Sequence, residues 1–203
     1  MTKLRVKLAA SLFLLASLLA ASTAAAHAQT TLEWITLAPA NEGFSVNLPL
    51  KPDAETERVA MEGGAYKTRL YTAFDETDRI LYMVVMQEFS AATGELKPAV
   101  RLEQFMEGFK EGLKKSIGNG TTNVELLLDR HLDLKRHLGR QFKLTFGEAR
   151  GLVRAFDASL RIYVLLVMGA DEKNSNAMRF FDSFEIKAAP PPVPLPPTEK
   201  QAS

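Results

Sequence analysis

The chain contains no cysteine. Disulfides, thiolate metal sites, thiol catalysis and a lipid-modified N-terminal cysteine are therefore all excluded, and any fold the chain adopts must rest on apolar burial. No sign of charge dominates either. Lys and Arg number 25 against 24 Asp and Glu, which gives no electrostatic footprint for nucleic acid or an anionic membrane. Glycine-rich phosphate loops are lacking: Gly118-Asn119-Gly120 has no P-loop lysine and does not open a helix. There is no Gly-x-Ser-x-Gly nucleophile elbow, since Ser45 falls on a strand and Ser183 at a helix end. No pair of acids stands out for glycoside chemistry. At 46% hydrophobic and 24% charged residues the composition is that of a globular protein, so disorder of the whole chain is excluded. A length of 203 residues points to one domain, two at most.

What is present begins with a targeting signal. Lys3, Arg5 and Lys7 precede an apolar run from Leu8 to Ala21, and Ala26-His27-Ala28 offers small residues at the two positions a signal peptidase reads. Cleavage is expected after Ala28, so residues 1–28 are a signal peptide. The apolar run is short for a membrane span, and the general secretory route is favoured because no arginine pair precedes it. Export to the periplasm or the medium follows, with no transmembrane segment after cleavage. The mature chain would carry 22 basic and 24 acidic residues.

The mature chain reads as strands, a long helix, strands, and a short helix. Phe44, Val46 and Leu48 alternate with Ser45 and Asn47, which predicts a half-buried strand ended by Pro49. Residues 55–61 and 65–74 flank Gly63-Gly64, a hairpin signal. Residues 80–86 are continuously apolar, as in a strand covered on both faces. Leu102, Phe105, Met106, Phe109, Leu113 and Ile117 form one helical stripe opposite Glu103, Glu107, Glu111 and Lys115. Pro98 suits its first turn and Gly118-Asn119-Gly120 its stop. Such a stripe is expected to cover a sheet rather than to receive a partner helix. A meander of strands follows over 124–134, 141–146, 152–156 and 161–168. A second helix is expected over 172–183, with Asp171 as cap and Ala177, Phe180, Phe181 and Phe184 on its buried side. Residues 185–187 add an edge strand. Residues 190–197 hold six prolines in eight positions, so 188–203 is expected to be an extended, disordered tail and 29–187 a single domain. Strands grouped in runs with short turns indicate the α+β class, an antiparallel sheet packed with one long and one short helix.

One constellation could carry chemistry. Asp129, His131 and Asp133 stand at i, i+2 and i+4 on a strand, a spacing that turns two carboxylates and an imidazole to one face. Oxygen and nitrogen donors of that kind can hold zinc or a similar ion. The competing reading is an ordinary wet face opposite Val124, Leu126, Leu128, Leu132 and Leu134. Trp34, Tyr66, Tyr71 and Tyr82 could line a ligand cleft or simply fill the core. No cofactor is expected.

Gly43-Phe44-Ser45-Val46-Asn47-Leu48-Pro49-Leu50-Lys51-Pro52, Gly139-Arg140-Gln141-Phe142-Lys143 and Phe180-Phe181-Asp182-Ser183-Phe184 resemble stretches at similar places in a set of uncharacterised exported bacterial proteins. The resemblance covers about Trp34 to Lys187 and implies the architecture of PsbP, the extrinsic photosystem subunit: an α/β/α sandwich. It transfers no catalytic residue. A non-catalytic accessory or binding module of the cell envelope is the reading it favours, with an envelope protein or small ligand as partner. The alternatives are a metal-assisted hydrolase using Asp129, His131 and Asp133, and a small-ligand carrier.

Overall fold

The computed structural model describes residues 33–61, 64–89, 96–116, 122–158 and 160–187, the side chains of 58–61, 64–66 and 116 excepted. The expected signal peptide (1–28), the expected tail (188–203), Ile117 of the predicted stripe and the expected Gly118-Asn119-Gly120 helix stop lie outside them.

The described residues form two antiparallel sheets and two helices. Strands β1 (Ile35–Leu37), β2 (Phe44–Leu48) and β10 (Glu185–Ile186) form a small sheet in the order β1-β2-β10. The large sheet comprises β3 (Asp53–Met61), β4 (Gly64–Asp75), β5 (Ile80–Glu88), β6 (Val124–Leu134), β7 (His137–Phe146), β8 (Ala149–Ala158) and β9 (Arg161–Met168), in the order β3-β4-β5-β9-β8-β7-β6. Helix α1 (Pro98–Ser116) lies on one face of it, and α2 (Ser175–Asp182) with the small sheet covers the other. The sequence suggests one sheet. The structure divides it, because Phe44, Val46 and Leu48 turn onto the large sheet instead of extending it.

The stripe on α1 is buried as its spacing requires: Leu102, Phe105, Met106, Phe109 and Leu113 pack on Met83, Val85, Val164 and Leu166 of the sheet. Tyr82 and Val84 on β5 alternate with Met83 and Val85, so this central strand feeds both cores and its continuously apolar sequence is explained. Helix α2 is shorter than its sequence suggests. Asn174, not Asp171, is its N-cap, the Asn174 side chain accepting from the Ala177 N–H, while Asp171 accepts from the Lys173 N–H in the turn before it.

The sharpest departure from simple alternation is in β6. Leu128 pairs with Phe142 but Arg130 pairs with Gln141, so one extra residue enters the strand at Asp129. Side chains of like parity before and after the bulge face opposite ways. Val124 and Leu126 join the α1 core, whereas Leu132 and Leu134 join the α2 core. Leu127 and Leu128, caught at the changeover on an edge strand, are exposed.

Candidate functional site

The bulge places Asp129 in a group of charges gathered around Gln141. Gln141 on β7 is fully buried, and its amide nitrogen donates to both Asp129 and Glu172 while its oxygen accepts from Arg154 Nε at 2.9 Å. Arg154 also reaches Asp182 of α2 at 3.0 Å and lies over the Phe181 ring. Arg130 pairs with Glu172, and Lys143 Nζ stands 3.0 Å from Asp129. Lys143 first, then Gln141, hold the Asp129 carboxyl below its ordinary range. Three acids and three bases thus balance around one buried amide, and they join the β6–β8 end of the sheet to α2 and the turn before it.

Asp129, His131 and Asp133 are not brought to one face. The i, i+2, i+4 argument assumes a regular strand, and the bulge breaks it at its first member. Asp129 turns to the α2 side with Gln141 and Lys143. His131 and Asp133 pair with Arg140 and Leu138, and Leu138 packs with the α1 core. His131 is exposed, and Asp133 caps the β6–β7 turn by accepting from the Arg136 N–H at 3.0 Å. Both residues of that turn, Lys135 and Arg136, have positive φ, the conformation of a type I′ hairpin. Among the described residues, no three of His, Cys, Asp and Glu gather so that they could hold a metal ion.

A second polar cluster lies under the small sheet. Glu42 is buried, accepts from the Tyr71 hydroxyl at 2.8 Å and sits 2.9 Å from Arg69 Nε. The Tyr163 hydroxyl donates to the Glu42 carbonyl at 2.7 Å. Arg161 and Glu88 pair nearby at 3.2 Å. Burial, and then the bond to Glu42, push the Tyr71 hydroxyl pKa up; burial pushes that of Tyr163 up to about 12. On the opposite face the Arg101 guanidinium on α1 grips Asp157 on β8 with two bonds of 2.6 Å, both side chains buried. Arg101 stands four residues before Phe105, on the same stripe, and that spacing is the sequence signal for its burial.

Of the aromatics that could line a cleft, Tyr71 and Tyr82 are buried in the core, Trp34 packs against it edge-on to Tyr82 at 6.4 Å, and Tyr66 lies where side chains are not described. Chemically, these clusters couple layers of the fold. The buried acids Glu42 and Asp157 each face a base or a hydroxyl, which is how charges are retained inside a protein.

The architecture is an α+β fold of PsbP-like form. Its fold is similar to the solution structure of cyanobacterial PsbP (CyanoP) from Synechocystis sp. PCC 6803, with a TM-score of 0.54 and 11% identity over 80% of this chain and 98% of that one. At that identity the likeness concerns the fold alone. No family model and no curated protein sequence matches the chain. Among the described residues no helix is long and apolar enough to cross a membrane.

Proposed function

We propose that the chain is a non-catalytic accessory or binding module of the cell envelope, exported by a signal cleaved after Ala28 and akin to the exported bacterial proteins its motifs resemble. The observation that carries the reading is the use made of three groups of buried polar side chains. Arg101 with Asp157, Glu42 with Arg69 and Tyr71, and Gln141 with its flanking charges each link one layer to another. Side chains committed in this way hold a scaffold; a general acid or base needs a proton-bearing atom turned toward a substrate. The PsbP-like fold supports the reading only as a likeness of architecture.

The test is to recover the tagged protein from its native cell. The expected result is a chain beginning at Gln29 in the envelope or periplasmic fraction, accompanied by one envelope protein at fixed stoichiometry through salt washing. A chain keeping its first residues in the cytoplasm, or a purified protein that turns over a substrate, overturns the proposal.

A further inference from the structure

We propose that the β4–β5 hairpin is a binding site for a hard, oxygen-seeking divalent cation, calcium above all, held by Asp75, Asp78 and Tyr82. Asp75 closes β4 on the α2 side of the sheet and is 3% exposed. Its Oδ1 accepts from the Thr77 N–H at 2.9 Å and the Asp78 N–H at 3.2 Å. Its Oδ2 is buried without any partner. A bare carboxylate oxygen inside a protein is among the most unfavourable polar groups, and the usual remedies are a base or a metal ion. Tyr82 lies diagonally across on β5 and faces the same side. It is fully buried, and its hydroxyl also lacks a partner. A buried tyrosine hydroxyl ordinarily finds one.

These two orphans share a locality. After burial itself, the charges that raise the Tyr82 pKa are those of Asp75 and Asp78. Asp78 extends the group to α2, its Oδ2 accepting from Asn176 Nδ2 at 3.4 Å. The donor set is all oxygen and includes two carboxylates, which suits calcium or magnesium rather than zinc or copper. Calcium is favoured because it accepts irregular geometry, whereas magnesium demands a near-ideal octahedron. Two carboxylates rather than three place the affinity at the weak end, about 10⁻⁴ to 10⁻³ M, as in extracellular modules. A bound ion would fasten the hairpin turn to α2 and, through Tyr82, to Trp34 in the chain leading into β1. A water bridging Tyr82 and Asp75 is the rival occupant; it would satisfy both atoms but leave the charge in place.

Terbium distinguishes the two, since it takes calcium sites and emits when a neighbouring tyrosine or tryptophan absorbs. The purified protein should show sensitised emission that saturates at one ion per chain and is displaced by calcium. Asp75→Asn keeps the oxygen that both N–H groups of the turn need, so it should fold; it and Asp78→Asn should each weaken calcium binding by about tenfold or more. Asp129→Asn, in the other acidic group, should leave binding unchanged. Emission equal in the native protein and Asp75→Asn, or a Tm that millimolar calcium does not raise, means a water only and overturns the proposal.

Discussion

The two faces of the large sheet are built from different materials. Under α1 the core is aliphatic side chains and methionine with a few phenylalanines, pinned by one buried ion pair, Arg101 with Asp157. Under α2 and the small sheet it is dominated by rings: Phe44, Tyr71, Tyr82, Phe156, Tyr163, Phe180 and Phe184, several of them edge-on or tilted against one another. The reason lies in what each face must cover. One regular 19-residue helix offers a single apolar stripe and needs only shape to match. Three short strands and an 8-residue helix expose many backbone ends and loops, so the side chains beneath them need polar tips as well as bulk. Tyr163 supplies one to the Glu42 carbonyl and Tyr71 another to the Glu42 carboxylate.

If the α1 face is held by packing and one ion pair, those are the places to break it. Phe109→Ala should cost about 3–5 kcal/mol as a large truncation in a filled core. Asp157→Ala should cost a similar amount, about 3–5 kcal/mol, because it strands a buried guanidinium. Replacing both partners with apolar residues, Arg101→Met with Asp157→Leu, should recover most of that loss. Denaturant unfolding of the single and double variants decides the point. A double variant no better than Asp157→Ala would mean that the pair has a role beyond neutralising itself.

On the ring-lined face the corresponding break is steric. A Cβ on Gly139 would meet the Phe156 ring at 2.6 Å and Leu132 Cβ at 3.1 Å. Gly139→Ala should therefore cost about 1–3 kcal/mol by overpacking. Shortening the ring in Gly139→Ala/Phe156→Leu should return part of it, measured in the same unfolding assay.

Much of this contrast was legible in the sequence. The α1 stripe, the doubly covered β5 and the Phe180–Phe184 cluster follow from spacing alone, because a helix or a central strand repeats its period without interruption. The candidate site was not. Asp129, His131 and Asp133 have the spacing of a shared face, and nothing in Leu-Leu-Leu-Asp-Arg-His announces that an edge strand will admit an extra residue there. The split into two sheets is hidden for a similar reason. Phe44-Ser45-Val46-Asn47-Leu48 reads as a strand with one wet face in either arrangement, and only the partners it finds, β1 and β10, decide the sheet. Burial of Gln141 and Glu42 depends on contacts distant in the sequence, which periodicity does not carry.

The tyrosines add a pH test that only the ring-lined face should show. Tyr163 keeps its proton up to about pH 12 in the folded chain, against 10.0 for an unperturbed tyrosine. The folded state then binds more protons than the unfolded one above pH 10, so stability falls as pH rises through that window and is complete below it. The urea midpoint should drop between pH 10 and 12, and Tyr163→Phe should flatten the drop. Phe109→Ala should lower the whole curve without changing its shape. A curve of unchanged shape in Tyr163→Phe would remove the tyrosine from the explanation.

The finest cut is within α1 itself. Glu111 is two residues from Phe109 and on the exposed side of the helix. Glu111→Ala removes an exposed charge and substitutes the best helix former, so its effect should stay under about 0.5 kcal/mol in either direction. The pair matters more than either value. Both residues lie on the same helix, so any effect on helix formation is shared, and the difference between them isolates contact with the sheet. A Glu111→Ala loss approaching that of Phe109→Ala would mean that α1 is held by something on its outer side, most simply another protein, and the account of the apolar face as its main anchor would have to yield to that contact.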